Sequence, residues 1–135
     1  MPQILLATDA DWIRDDIVAA LADEQTQVSR VRKGSEVVEA IRQLGPDLVI
    51  LDMQIGNMGG VATCHAIRHE QAAGRLDAVK VMILLDRADD KWLANTARCD
   101  GTYQKPIDAF TLGREVRRVL AAAPEAPAAP STALA

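Results

Sequence analysis

Acidic side chains follow two apolar runs of this sequence, and a lysine follows a third, weaker run. Asp9 comes directly after "ILLAT", Asp52 closes the run "LVILD", and Lys105 ends "TYQK". Carboxylates brought together need a counter-charge, which a divalent cation or an ammonium group supplies. An aspartate beside such a cation and a lysine is a candidate nucleophile for phosphorus, and its attack would give an acyl phosphate.

The same acids offer oxygen ligands to a magnesium ion. Asp9, Asp52 and the carbonyl oxygen of a loop residue such as Gln54 would supply two or three ligands. The remaining coordination positions would hold water and a phosphoryl group. We therefore predict a magnesium site formed by Asp9, Asp52 and Gln54.

Five strand-like runs alternate with five helical ones along the chain. The predicted strands cover residues 4–7, 27–31, 48–51, 79–85 and 102–104. The central runs are apolar throughout instead of alternating, as expected where helices cover both faces of a parallel sheet. In such doubly wound α/β domains the functional crevice lies beyond the carboxyl ends of the strands. Asp9, Asp52 and Lys105 are therefore expected to converge at one edge of the sheet.

Local signals predict where several helices begin and end. Ser35 is expected to cap the second helix, and Gly45 with Pro46 to end it. Asp108 is expected to cap the last helix. The buried stripe of the third helix, from about residue 60 to 72, is placed on three residues: Val61, Cys64 and Ile67.

Composition narrows the class of protein. The chain has 135 residues, enough for one domain with a real core, and 49% hydrophobic against 25% charged residues is typical of a soluble globular protein. A net charge of −4 argues against direct binding to nucleic acid. No apolar run approaches the roughly 20 residues that span a bilayer, and no signal peptide is recognised. We expect a cytoplasmic protein in which Cys64 and Cys99 are free thiols.

The carboxyl-terminal segment differs from the rest of the chain. Residues 121–135 are rich in alanine and proline and have too little apolar bulk to fold. We predict a folded domain over residues 1–120 followed by a disordered tail, and hence a stand-alone domain whose effect travels through protein contacts.

The motifs together resemble the receiver domain of two-component response regulators, from Ile4 to about Leu120. The residues that carry the resemblance are "TDADWIR", "LDMQIGNMGG" and "YQKP". The resemblance implies a bacterial signalling domain with five helices around a five-stranded sheet in the flavodoxin-like order 2-1-3-4-5. It also implies that Asp52 accepts phosphate from a histidine kinase, that Asp9 is a metal-site acid and that Lys105 contacts the phosphoryl group. The alternative for Lys105 is an ion pair with Asp52 that only stabilises the fold.

Several positions depart from the family's pattern. Thr8 stands where the family has a first acid, which predicts weak magnesium binding, and Gly56 replaces a proline. Leu85 is aligned with a serine or threonine at the end of strand four and cannot hydrogen-bond a phosphoryl oxygen. Thr102 stands at the aromatic switch position, and Tyr103 follows it on the opposite face. Leu85 and Thr102 predict a broken switch.

Two functions follow from these observations, neither of them an enzyme. The favoured one is an atypical receiver that acts as a regulatory protein-binding module, with weak phosphorylation at Asp52 or none. The alternative is a phosphoacceptor that a histidine kinase serves. Trp92, Tyr103 and Trp12 are the interface candidates, because exposed aromatic residues are enriched in interfaces.

Two further interpretations are rejected. A flavodoxin-like cofactor carrier shares this topology, but "TDAD" would repel a phosphate group where such a protein binds one. His65 and His69 have a spacing that can bind zinc, but no third ligand is near them in the sequence, so a solvated helix face is favoured.

Overall fold

The computed structural model describes residues 2–22, 25–56 and 58–122. Strands and helices alternate along this part of the chain. The strands are β1 Gln3–Ala7, β2 Gln27–Val31, β3 Leu48–Asp52, β4 Lys80–Leu85 and β5 Gly101–Gln104. The helices are α1 Asp11–Leu21, α2 Val37–Leu44, α3 Gly60–Ala72, α4 Lys91–Thr96 and α5 Ala109–Ala121, and single 3₁₀ turns precede α2 (Gly34–Glu36) and α4 (Ala88–Asp90).

The strands form one parallel sheet in the order β2-β1-β3-β4-β5. Strand order therefore reverses at β1, which lies between β2 and β3. Ala7 is paired with Leu51, and Asp52 with Leu84, so the ends of the three central strands are level. The predicted doubly wound sheet in flavodoxin-like order is confirmed.

Each face of the sheet is covered by its own group of helices. On one face α1 and α5 bury the even-numbered residues of the central strands, including Leu6, Ile50 and Leu84. On the other face α2, α3 and α4 bury the odd-numbered residues, including Ala7, Leu51 and Leu85. This division follows from the pleat, because successive side chains of a strand point to opposite faces. The direction of every side chain at the strand ends is set by the same alternation.

The predicted helix ends are partly confirmed. Gly45 has a left-handed φ of 56° and donates its N–H to the carbonyl of Ile41, and Asp108 accepts a hydrogen bond from Thr111 N. Ser35 does not cap α2, because the preceding 3₁₀ turn already begins at Gly34. A β-carbon at that glycine would collide with the carbonyl of Met58 and with the hydroxyl of Thr63.

The buried stripe of α3 also differs from the prediction at one position. Cys64 and Ile67 are buried as predicted, but Val61 is only partly buried and Thr63 is fully buried in its place. The hydroxyl of Thr63 donates to the carbonyl of Gly59 at 2.9 Å, which satisfies its polar group inside the core.

The thiols and the chain end complete the comparison with the predictions. Cys64 and Cys99 are free, and burial raises the pKa of Cys64 to about 12. Ala121, the first residue of the predicted tail, is the last residue of α5, and positions 123–135 lie outside the described residues. Within the described ranges no helix has both the length and the apolar character to cross a bilayer.

Two side chains hold α5 against the sheet at its two ends. At the carboxyl end, Lys80 of β4 donates from Nζ to the carbonyls of Val119 and Leu120 at 2.8 and 2.9 Å. At the amino end, the hydroxyl of Tyr103 on β5 lies 2.7 Å from the hydroxyl of Thr111 and accepts the N–H of Asp108 at 2.9 Å. The helix is thus anchored to two different strands.

Arg68 of α3 links the helix to the loop that leads into β5. Its guanidinium donates to the carbonyl of Val79 at 2.8 Å and to the carbonyl of Arg98 at 2.9 and 3.0 Å. It also pairs with Asp100 at 2.9 Å, and the same carboxylate oxygen accepts the N–H of Val81. One side chain therefore ties α3 to two segments, the residue before β4 and the loop before β5.

Replacing Arg68 tests this anchoring role. We expect Arg68→Ala to lower the free energy of unfolding by about 1–3 kcal/mol, because partly buried carbonyls lose their donors. Arg68→Lys keeps the positive charge but loses the planar guanidinium group. Its free energy of unfolding should therefore lie between those of the parent protein and the alanine variant. Urea unfolding of the three proteins measures the effect. Equal stability of the alanine variant and the parent protein would contradict this role.

The cap of α5 predicts a pH dependence. The hydrogen bond from Thr111 N lowers the pKa of the Asp108 carboxyl. A lowered folded-state pKa gives stability that is present above the ordinary aspartate range, about pH 4, and is lost as the pH falls through the folded value. We expect Asp108→Ala to unfold at lower urea than the parent protein, with the difference shrinking in acid. Asp108→Asn, which keeps an acceptor, should retain most of the stability; a difference between parent and alanine variant that is independent of pH would contradict the capping role.

Candidate functional site

Four polar side chains meet at the carboxyl edge of the sheet. Thr8 directly follows β1, Asp52 is the last residue of β3, Asp86 directly follows β4, and Lys105 directly follows β5. The level strand ends bring them together, and the N–H of Lys105 donates to the carbonyl of Leu85 at 2.9 Å. We call this group of four the strand-end cluster.

Asp52 is buried at the centre of the strand-end cluster, with 2% of its surface exposed. Its Oδ2 accepts a hydrogen bond from the hydroxyl of Thr8 at 2.7 Å. Its Oδ1 accepts from Lys105 Nζ at 2.6 Å and from the N–H of Gln54 at 3.3 Å. Both oxygens are therefore paired, as a buried carboxylate requires.

Thr8 has a role that the sequence did not reveal. It is fully buried, and its hydroxyl accepts the N–H of Ala10 at 3.1 Å while it donates to Asp52. The hydroxyl hydrogen is thus committed to the carboxylate. The sequence marked Thr8 only as a missing negative charge, although its place directly after β1 is a signal that it lies beside Asp52.

Lys105 joins two carboxylates. Its Nζ lies 2.6 Å from Asp52 Oδ1 and 2.7 Å from Asp86 Oδ1. Burial alone would lower the pKa of Lys105, but the hydrogen bonds to the two carboxylates outweigh burial and raise that pKa above its ordinary value. The ammonium group is therefore charged at neutral pH and is shared between Asp52 and Asp86.

Asp86 is the residue of the strand-end cluster that sequence reasoning missed. Leu85, the predicted switch position, is 2% exposed and packs in the core on the face covered by α2, α3 and α4. Asp86 is next in the alternation and follows Leu84 on the face that carries Asp52. The side chain that reaches the cluster from β4 is therefore Asp86. Leu84 pairs with Asp52, and side chains alternate between the two faces of the sheet. The same alternation would have predicted that Asp86 lies on the face of Asp52.

One oxygen of Asp86 is unusual. Oδ1 pairs with Lys105, whereas Oδ2 is screened from solvent and has no hydrogen-bond partner among the residues that the structure describes. Arg87, the adjacent basic residue, forms its ion pair with Asp90 at 3.1 Å. Asp86 thus brings a second negative charge to the cluster, and within the described ranges Lys105 is the cation that pairs with it directly, while Arg87 acts on it only at longer range.

Asp9 is turned toward the loop that follows β3. It is exposed, and its Oδ2 accepts the N–H of Gly56 at 3.0 Å. A proline at position 56 has no N–H and could not make this bond. The replacement of the family's proline by Gly56 therefore allows the hydrogen bond that orients Asp9. A β-carbon at position 56 would also lie only 2.8 Å from the same oxygen, which favours glycine there.

The predicted magnesium site fits these residues poorly. Asp9 is held by Gly56, and both oxygens of Asp52 are held by neighbouring groups. Gln54 is exposed and donates its N–H to Asp52. No group of three or more histidine, cysteine or acidic side chains that could hold a metal ion exists in the described part of the chain. The site at Asp9, Asp52 and Gln54 stays a prediction.

The other predicted switch residue and the interface residues make no hydrogen bond or ion pair with Asp52 in the described part of the chain. Thr102 is partly buried and pairs with Ile83 in the sheet. Tyr103 is also partly buried, and its hydroxyl is engaged by α5 as described above. Trp12 and Trp92 are 58% and 74% exposed at the starts of α1 and α4. The two tryptophans are thus available to a partner, whereas the tyrosine hydroxyl is used within the fold.

Comparisons with known proteins agree with this geometry. The transcriptional regulatory protein AfsQ1 of Streptomyces coelicolor is 28% identical over 122 residues, which cover 89% of this chain and 52% of that protein. An uncharacterized response regulatory protein of Mycobacterium tuberculosis is 32% identical over 127 residues, which cover 89% of this chain and 92% of that protein. The chain spans about half the length of the first curated relatives it matches.

A solved structure shows the same fold. The receiver domain of a sensor histidine kinase from Pseudomonas aeruginosa, which has a magnesium ion coordinated in its active-site cleft, superposes with a TM-score of 0.77 at 21% identity. The superposition covers 90% of this chain and 98% of that domain. A family model for the response regulator receiver domain matches residues 4–117. Strand order, sequence relatives and family model agree, and this chain belongs to the response regulator receiver domain family.

Proposed function

We propose that this receiver domain acts as a regulatory protein-binding module in which Asp52 is phosphorylated weakly or not at all. Receiver domains are signalling modules of bacterial two-component systems, and this chain belongs among them. The function proposed here is regulation through protein contacts in the cytoplasm, without catalytic turnover of a substrate.

The observation that carries this proposal is the hydrogen bonding of Asp52. A carboxylate that attacks phosphorus must direct a lone pair of one oxygen at the phosphorus atom. Thr8 holds Oδ2, and Lys105 holds Oδ1. Each of these hydrogen bonds lowers the nucleophilicity of the oxygen that accepts it.

The surroundings of Asp52 add a second obstacle. Phosphoryl transfer depends on positive charge that stabilises the phosphoryl oxygens, and divalent metal commonly supplies most of it. Here Thr8 provides a neutral hydroxyl, and Asp9 is bonded to Gly56. We therefore propose that magnesium binds weakly, and Lys105 is left as the main counter-charge.

A phosphoacceptor function is the second candidate, and one observation favours it. Asp52 lies at the carboxyl end of β3 with Lys105 Nζ 2.6 Å away, so the acceptor carboxylate and the cation that would stabilise its product are in contact. In this alternative a histidine kinase donates the phosphoryl group to Asp52.

The partner surface is proposed on the helices that carry exposed aromatic residues. Trp92 and Leu93 on α4 are 74% and 43% exposed, and Phe110 at the start of α5 is 69% exposed. Trp12 on α1 is a separate candidate, since α1 covers the face opposite to α4 and shares that face with α5. The partner is proposed to be a protein and not a nucleic acid, since the chain has a net charge of −4.

Phosphorylation of Asp52 is the first test. We expect the purified protein, incubated with acetyl phosphate and magnesium, to gain one phosphoryl group at least about tenfold more slowly than an ordinary receiver domain, because hydrogen bonds on both oxygens of Asp52 lower their nucleophilicity. Intact-mass spectrometry over time measures the rate.

Asp52→Asn is the matched control and should gain no mass. Labelling of the parent protein as fast as the ordinary receiver, absent from this variant, would refute weak phosphorylation and favour the phosphoacceptor function.

The partner surface gives a second test. Because Trp92 is largely exposed, we expect Trp92→Ser to change the free energy of unfolding by no more than about 0.5 kcal/mol. We expect the same variant to lose a bound protein that the parent captures from cell extract, identified and quantified by mass spectrometry. Leu44→Ser on α2, at an apolar side chain that is 44% exposed, is the matched control and should retain capture. Capture should be the same with and without acetyl phosphate. Capture that survives Trp92→Ser, or that requires the phosphodonor, would contradict the proposal.

A further inference from the structure

The carboxylate of Asp86 lies against the same ammonium group that pairs with Asp52, so its charge acts directly on chemistry at Asp52. Its Oδ1 and Asp52 Oδ1 both lie within hydrogen-bond distance of one nitrogen, Lys105 Nζ. The two carboxylates are therefore held beside each other by a single ammonium group. The side chains of Asp52 and Lys105 are 3% and 14% exposed, so water screens their interactions weakly.

The bonds of Asp86 show that it is not fully neutralised. Oδ2 is buried and receives no hydrogen bond within the described ranges. Arg87 is 74% exposed at its side chain and pairs with Asp90. A phosphoryl group on Asp52 would replace one negative charge by about two, a net gain of about one beside this carboxylate. The same group would also compete with Asp86 for Lys105.

We propose that Asp86 is a positioning residue that limits phosphorylation of Asp52, because its carboxylate engages Lys105 and repels an incoming phosphoryl group. This inference rests on the proposed function in assigning Asp52 as the acceptor, but it explains the low rate by charge at one residue. The hydrogen bond from Thr8 and the weak metal site are separate contributions.

The reaction that Asp86 limits has a simple balance when acetyl phosphate is the donor. An oxygen of the Asp52 carboxylate forms a bond to phosphorus, and the bond from phosphorus to the acetyl oxygen breaks. Acetate leaves with the electron pair, and no proton needs to move. The acetate and the phosphorylated Asp52 together carry the same charge as the reactants, while the negative charge beside Asp86 increases.

Neutral and charged replacements of Asp86 separate charge from structure. We expect Asp86→Asn and Asp86→Ser to raise the initial rate of Asp52 phosphorylation by acetyl phosphate about tenfold or more, measured by intact mass. Asp86→Glu keeps the charge and should remain as slow as the parent protein. Asp89→Asn removes an exposed acid from the same loop and should change nothing.

Folding is checked on each variant by its thermal midpoint. The neutral variants are expected to fold, because they remove a carboxylate whose Oδ2 lacks a donor. Combination of either neutral variant with Asp52→Asn should abolish labelling. Folded Asn and Ser variants that are labelled no faster than the parent, or a Glu variant that is accelerated equally, would overturn the proposal.

The outcomes distinguish a failure of this proposal from a failure of the proposed function. Fast labelling of the parent protein would refute weak phosphorylation, yet a further acceleration in the neutral variants would still support the role of Asp86. Slow labelling of the parent and of every folded variant would leave weak phosphorylation standing and reject Asp86 as its cause.

Discussion

The ion pair between Lys105 and Asp52 is the constraint on which the carboxyl edge of the sheet depends. A carboxylate as buried as Asp52 is tolerated only with a cation or several donors beside it, and removal of one partner from such a pair typically costs about 3–5 kcal/mol. Lys105 can reach Asp52 because the parallel strands end at the same level. The hydroxyl of Thr8, which directly follows the neighbouring strand β1, binds the other oxygen of Asp52. The sheet register therefore brings Lys105 and Thr8 to Asp52, and their hydrogen bonds to Asp52 in turn hold the strand ends together.

The loop after β3 is arranged around the same carboxylate. Gln54 donates its N–H to Asp52, and Gly56 donates its N–H to Asp9. At the end of the loop, a β-carbon at Gly60 would collide with the carbonyl of Asp52, so only glycine allows α3 to begin this close to β3. Substitutions relative to the family pattern are thus not independent. Glycine in place of proline at position 56 supplies the donor that holds Asp9.

The architecture could be predicted from the sequence because it depends on long apolar runs. β2 and α3 were placed at their observed bounds, and Asp52 and Lys105 were placed together because the carboxyl ends of parallel strands share one edge. It was harder to predict from the sequence which side chains form the strand-end cluster. Leu85 and Asp86 differ by one position, and only the pleat decides which of them faces Asp52. The close approach of Gly34 to Met58 and Thr63 joins residues far apart in the sequence, so no local pattern encodes it.

The two anchors of α5 have a mechanical consequence. Tyr103 holds the first turn to β5 and Lys80 holds the last turn to β4, so axial sliding of the helix would break hydrogen bonds at both ends. α4 has only six residues, and one of them, Ala94, is buried. The two helices therefore differ in attachment: α5 is hydrogen-bonded to the sheet near both of its ends, whereas α4 buries one of its six residues. A signal that leaves this domain through the proposed partner surface would be carried by deformation of α4 rather than by displacement of α5.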